Sequence, residues 1–425
     1  MENAILKHNY HWTSEYKNLS KRNILVNILE KIHLRQIHVL KGIRRSGKTT
    51  LFKLIINHLL KTEEAKSILY INLDDPYFSE IYAHSKNLYK LLELSEKLTG
   101  IKVKYLFLDE VQNVTEWERF VKAIYDNELL KKIFVTGSNA SLLEGKYATL
   151  LSGRYLKTMI TPPSFSEVLQ YHKIKTRLDI IQHKIKVLKI IDEMMSYGSF
   201  FEILKEKEFK RDIILSYYET IIFKDCIAYN NLRDTKTFKE IVNFIISNST
   251  NMYSYNSISK ATGINDNTIK EYIRVIEDSY LCNEIKQYSY SLKEQIKTKK
   301  KIYINDNSFL AQTSFRFSDD FGKLFENLVY TELMKQNYKI YYFNKDFECD
   351  FICTKDDKCI AIQVCYELNL QNKAREIEGL KKLKINCDKK ILITYDQDNS
   401  IFGKKELAEN KDIIITSFWN YFSDN

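Results

Sequence analysis

The chain has 425 residues, of which 44% are hydrophobic and 13% aromatic. That composition excludes a disordered or collagen-like chain and is enough for two or three packed domains of about 100–200 residues each. Only 11 glycines and 3 prolines are present, which disfavours a turn-rich β-sandwich or barrel and favours long helices, while the net charge of +10 permits phosphate-rich partners without establishing one.

The N-terminal stretch MENAILKHNYHW has no basic region followed by an apolar core, and no apolar run approaches membrane-spanning length. A cytoplasmic protein without a membrane partner is therefore expected. Seven cysteines, an odd number, read as reduced thiols. Cys349, Cys353, Cys359 and Cys365 lack a C-x2-C knuckle and a nearby His, so buried apolar thiols are expected there rather than zinc.

Residues 1–34 read as a helical lead-in. Five short apolar runs then alternate with amphipathic helices: IHVLKG (37–42), SILYINL (67–73), KYLFLDE (104–110), KIFVTGS (132–138) and RYLKTMI (154–160). This alternation predicts a parallel sheet with helices on both faces, in a domain spanning 1–162. Pro162 and Pro163 break the chain. A helical module follows over 163–310, and a mixed α/β domain over 311–425.

The first run leads straight into Gly42-Ile43-Arg44-Arg45-Ser46-Gly47-Lys48-Thr49-Thr50 and then an apolar helix. This fits G-x-x-x-x-G-K-[ST] with the required strand before and helix after. The glycines let the loop curl, so that main-chain N–H groups from Arg44 to Thr50 face a phosphate at the helix N-terminus. Lys48 is expected to reach the β- and γ-phosphates, and Thr49 to hold Mg²⁺. KYLFLDE ends in Asp109 and Glu110. Asp109 would orient Mg²⁺, and Glu110 would polarise the attacking water as general base. That pair, with no guanine motif of the NKxD kind, favours ATP.

The run KIFVTGS is expected between the two strands that carry these motifs. Its polar end, Ser138 and Asn139, would reach the γ-phosphate or the water, or else cap the next helix. Arg154, at the start of the last run, is a candidate arginine finger or a surface partner of a carboxylate.

Together, the 42–49 loop, LFLDEVQ (106–112), TGSNASLL (136–143), LSGRY (151–155) and the PPSFSEVL entry to the helices resemble the AAA+-like ATPases widespread in archaea and bacteria. The resemblance covers most of the chain and is specific in the first half. It implies an ATP-binding domain of the additional-strand class and a C-terminal domain of unknown function similar to a restriction-endonuclease fold. It carries no well-established cellular role.

In the middle module, TFKEIVNFIISNS, YNSISKATGI and NDNTIKEYIRVIEDSYL predict three short helices in a helix-turn-helix pattern. The stretch that follows would form a wing, with Lys297, Lys299, Lys300 and Lys301 near its tip. Such a winged helix would contact duplex DNA or serve as a protein-contact unit. In the last domain Glu326, Glu348 and Asp350 supply acids, but Gln363 and Cys365 stand where a nuclease of this type needs an acid and a Lys. Cleavage of DNA is therefore not expected, and no other lysine is seen to replace the missing one. The expected function is an ATP-hydrolysing switch or motor, acting as a monomer or homo-oligomer. The alternatives are a nucleic-acid-binding or scaffolding protein with a slow nucleotide switch, and an ATP-regulated nuclease.

Overall fold

The computed structural model describes residues 1–140, 146–313, 320–345, 347–398 and 410–423. Ser141, Leu142 and Leu143, which close the motif TGSNASLL, lie outside the described residues. The chain divides into two compact units: residues 1–162 with 278–280, and residues 163–277 with 281–425.

In the first unit the five apolar runs form parallel strands: β1 (Ile37–Lys41), β2 (Ile68–Asn72), β3 (Tyr105–Asp109), β4 (Lys132–Gly137) and β5 (Tyr155–Met159). Their order is β2-β3-β4-β1-β5. β3 and β4 are buried along their whole length, as expected of a sheet covered on both faces. Phe107 of β3 stacks on Phe134 of β4 at 4.5 Å, and Phe52 meets Phe107 edge-on at 5.1 Å. Phe52 belongs to the helix Lys48–Leu59, which buries Leu51, Phe52, Ile55, Ile56 and Leu59, the spacing of one helical face.

The lead-in closes the exposed edge of this sheet. Asn9 exchanges two hydrogen bonds with the Tyr70 main chain, and the Trp12 indole donates to the Ile68 carbonyl. The β2 main chain is thereby partnered on its outer side, which blocks edge pairing with another chain.

The second unit holds two sheets. The smaller comprises β6 (Met252–Tyr253), β7 (Cys282–Lys286) and β8 (Lys300–Ile304), in the order β6-β8-β7. The helices Thr235–Ser247, Tyr255–Thr262 and Asp266–Asp278 precede β7. The larger sheet comprises β9 (Lys339–Asn344), β10 (Glu348–Lys355), β11 (Lys358–Cys365), β12 (Lys389–Thr394) and β13 (Ile413–Ser417), ordered β13-β12-β11-β10-β9. β9, β10 and β11 are antiparallel neighbours, whereas β11, β12 and β13 run parallel. Segments 163–310 and 311–425 pack into this one unit. Tyr303 of β8 stacks on Tyr330 of the helix Phe321–Lys335 at 4.4 Å, and the Asn327 amide bonds the Ile304 main chain in both directions.

The expected basic tip is corrected in part. A helix, Leu292–Lys297, fills the connection, and Lys297 and Lys299 are exposed. Lys300 and Lys301 are buried on β8, because that strand is central in its sheet. Among the described residues no helix is long and apolar enough to cross a membrane.

Candidate functional site

The loop after β1 turns sharply at Gly42 (φ +151°), where an added Cβ would lie 2.0 Å from the Ile160 carbonyl oxygen. Only glycine fits there. Arg45 and Gly47 also adopt positive φ, 68° and 96°, which curls the loop onto the N-terminus of the helix Lys48–Leu59. Alternating left- and right-handed residues aim successive N–H groups at one point, a ready anion cradle. The Ser46 hydroxyl is buried and has no hydrogen-bond partner among the described residues. An orphaned donor inside such a loop fits a phosphate oxygen.

Lys48 is buried, and its ammonium donates to the Gly42 and Ile43 carbonyls at 2.9 and 3.2 Å. Its charge is therefore held inside the loop. Next to it, the Thr49 hydroxyl donates to Asp109 at 2.6 Å. Asp109 ends β3, two strands away from β1. Thr136 of β4 donates to the other Asp109 oxygen, and the Tyr70 hydroxyl donates at 3.1 Å. Burial, and then the charge of Glu110, push the Asp109 carboxyl above the usual carboxylate range. A hydroxyl and a carboxylate held this way form the donor set that suits Mg²⁺.

Glu110 has left-handed backbone (φ 56°), and its N–H donates to the Thr136 hydroxyl. The Gln112 amide donates to its carboxylate at 2.5 Å. The turn therefore directs Glu110 away from the strand, beside Asp109. β4 does lie between β3 and β1, and Ser138 and Asn139 just beyond it are buried. The structure thus brings the 42–50 loop, Asp109, Glu110 and Asn139 to the C-terminal edge of one sheet, where open α/β sheets place their ligands.

Arg154 is elsewhere. Its carbonyl accepts from the Ile37 N–H, and Tyr155 pairs with Ile37 at the beginning of β1. It lies at the opposite edge of the sheet from its own loop, and its guanidinium pairs with Asp126 at 2.8 Å.

Three contributors were missed by sequence reasoning. Arg22 is buried and donates to the Ser46 carbonyl within the loop. Tyr70 and Thr136 bond Asp109. Only Thr136 carried a signal, as the first polar residue after the apolar part of KIFVTGS.

In the second unit, Glu326, Glu348 and Asp350 do come together, around Lys301 of β8. That lysine corrects the expectation that none replaces Cys365. Gln363 and Cys365 lie on the neighbouring β11.

The fold of the first unit and its glycine loop define a P-loop ATPase domain. Residues 34–169 match the family model described as AAA domain. Residues 188–320 and 321–411 match two models described as Domain of unknown function (DUF8612) and Domain of unknown function (DUF4143). The uncharacterized protein MJ1544 of Methanocaldococcus jannaschii is 32% identical over 410 residues, 92% of this chain and 89% of the relative. The chain belongs to the family of that protein, a P-loop ATPase family. An uncharacterized protein of Haemophilus influenzae is 29% identical over 396 residues, 91% of this chain and 96% of the relative. Among solved structures, the Orc1 protein of Aeropyrum pernix in complex with DNA is similar with a TM-score of 0.32 at 12% identity, covering 74% of this chain and 97% of that one. AMPPCP-bound DnaA of Aquifex aeolicus gives a TM-score of 0.27 at 15% identity, covering 63% and 91%.

Proposed function

We propose that the chain binds ATP with Mg²⁺ and hydrolyses it, and that the nucleotide state switches or drives the second unit. The Thr49–Asp109 hydrogen bond carries this reading, because it joins the end of the glycine loop to a buried carboxylate on a different strand. The N–H groups of Arg44, Arg45, Ser46, Gly47 and Thr50 would hold phosphate oxygens, and Lys48 would turn from the loop carbonyls to the β- and γ-phosphates. Thr49 and Asp109 would hold Mg²⁺, which supplies positive charge against the charge that develops in phosphoryl transfer. Glu110 would take the proton of the attacking water, with Asn139 orienting that water or the γ-phosphate. Arg154 stands too far from its own loop for this and would serve the loop of a neighbouring copy, in a homo-oligomer.

In the second unit, the order helix, strand, helix, helix and two-stranded hairpin supports a winged-helix reading. The larger sheet, three antiparallel strands extended by two parallel ones, supports a restriction-endonuclease-like reading.

Steady-state ATPase assays, with and without duplex DNA, test the proposal. Lys48→Ala should abolish binding or turnover. Glu110→Gln should keep nucleotide affinity and slow hydrolysis roughly 100-fold or more, since only the base is lost. Turnover of Glu110→Gln at the parental rate overturns the assignment of the base. Negligible parental turnover with tight ADP retention would instead favour the slow-switch alternative.

A further inference from the structure

A second charged cleft, of ≈ 860 Å³, opens in the unit 163–277 with 281–425, and Lys323, Glu326, Glu348, Asp350, Gln363 and Cys365 are among its lining residues. At its floor the Lys301 ammonium lies 3.2 Å from Glu348, 3.4 Å from Glu326 and 3.7 Å from Asp350. These carboxylates come from two elements, the helix Phe321–Lys335 and β10, while the lysine comes from a third, β8. Lys301 is only 3% exposed. Burial alone would lower its pKa, but the charges of Glu326, Asp350 and Glu348 outweigh that and raise it, so the ammonium stays charged.

An endonuclease-like sheet would be expected to hold a divalent metal here, between an acid on β10 and a second acid on β11. With the Lys301 ammonium in place among the carboxylates, the donor set does not fit one. Asp350 spends one oxygen on Lys301 and the other on the Val364 N–H at 2.9 Å. Glu326 accepts from the Tyr303 hydroxyl at 2.5 Å. Gln363 stands at the second acid's position with both ends of its amide committed: its oxygen accepts from the Asp350 N–H at 3.3 Å, and its nitrogen donates to Glu376 at 2.9 Å. Among the described residues no three His, Cys, Asp or Glu side chains converge to hold a metal ion. The separations around Lys301 suit an ammonium, whereas Mg²⁺ draws its oxygens to about 2.1 Å and Ca²⁺ to about 2.3–2.6 Å. A divalent ion entering this cluster would also face the lysine's positive charge.

We propose that Lys301 is a built-in replacement for the divalent cation of this cleft, so that a side chain offsets part of the negative charge of Glu326, Glu348 and Asp350 and the unit holds no metal there. The lysine makes the cluster's charge balance independent of metal supply and leaves the cleft without the ion that would activate a water.

Mn²⁺ binding by the nucleotide-free, full-length chain tests this, read as the number of ions bound by electron paramagnetic resonance or calorimetry. Wild type and Asp350→Asn should bind the same number, because no ion uses Asp350. Lys301→Met, which keeps the apolar stem and removes the charge, should gain one ion, and Lys301→Met with Asp350→Asn should lose it again. A lower count in Asp350→Asn than in wild type overturns the proposal without needing the Lys301 variant to fold. So does a folded Lys301→Met that gains no ion. Mn²⁺-dependent nicking of supercoiled plasmid by wild type, abolished in Asp350→Asn, overturns it as well and would make Lys301 a partner of a working metal.

Discussion

Arg22 donates to the Ser46 carbonyl at 2.7 Å, and so grips the glycine loop from a segment 24 residues earlier in the chain. Its second guanidinium nitrogen donates to the Thr161 carbonyl at 2.8 Å, just beyond β5. One buried side chain thus fixes the loop against the strand that closes the sheet.

Removing that fork should loosen the cradle before it unfolds the domain. Hydrogen bonds from a charged donor contribute about 1.5–3 kcal/mol each, and about 1.4 kcal/mol is tenfold in affinity. Arg22→Ala should weaken ATP binding by roughly tenfold or more, measured by fluorescence titration of a labelled nucleotide. Arg22→Lys should recover only part, because an ammonium cannot span both carbonyls as a planar fork does. An unchanged Kd in Arg22→Ala would remove this residue from the nucleotide site.

How much of this was legible in the sequence follows from the distance along the chain over which each feature is encoded. The 42–49 loop is local: a left-handed turn needs Gly42 and Gly47, and the flanking apolar runs mark strand and helix. Asp109 and Glu110 are legible because a fully buried run such as YLFL ends abruptly in charge. The Arg22–Ser46, Tyr70–Asp109 and Thr136–Asp109 contacts join residues 24, 39 and 27 positions apart, and no periodicity announces them. KTKKK misled for a related reason. A run of lysines reads as solvated, yet β8 is the central strand of β6-β8-β7, and Tyr303 and Lys301 on it meet Glu326 from a helix that the sequence places in the next domain. The same packing supplies the lysine that is missing at Cys365. β13, with its β-branched run Ile413-Ile414-Ile415-Thr416, falls within the mixed α/β expected over 311–425, and its residue types are those a strand favours.

Stability should depend on pH through two buried histidines of the first unit. His38 stacks on Phe134 and bonds Thr158 at 2.8 Å, and burial, then the charges of Lys132 and Lys31, hold its pKa down to about 4. Burial likewise lowers His11 to about 4, against a smaller raising effect of the Ile68 carbonyl. An unfolded chain protonates both near 6.5. Between these values the unfolded state binds more protons, so stability is full above pH 6.5 and is lost as the pH falls toward 4. The slope is about 1.4 kcal/mol per pH unit for each proton taken up. Urea unfolding at pH 7.5, 6.5 and 5.5 should show it, and His38→Gln should flatten the profile. A wild-type stability that stays level from pH 6.5 to 5.5 contradicts the buried, neutral assignment.

Arg154 gives the test of assembly. β1 spans five residues, and at about 3.3 Å per residue the loop begins about 16 Å from the edge where Arg154 sits. An arginine side chain cannot cover that span, so this residue cannot touch the γ-phosphate held by its own chain. In the chain described here it pairs with Asp126, whose carboxyl is held down to about 2 by Arg154 first and Lys122 second. Both partners are at the surface, so Arg154→Ala should leave the melting temperature nearly unchanged. If the residue completes a neighbour's site, the same variant should lose roughly 10³-fold in ATP turnover, the scale of an arginine finger. An equal mixture of Arg154→Ala and Lys48→Ala chains should then regain activity, because an intact loop from the first can meet an intact arginine from the second. Mixed oligomers without any regain would argue against a shared site. Full activity of Arg154→Ala alone would leave Arg154 with no role beyond its pairing with Asp126.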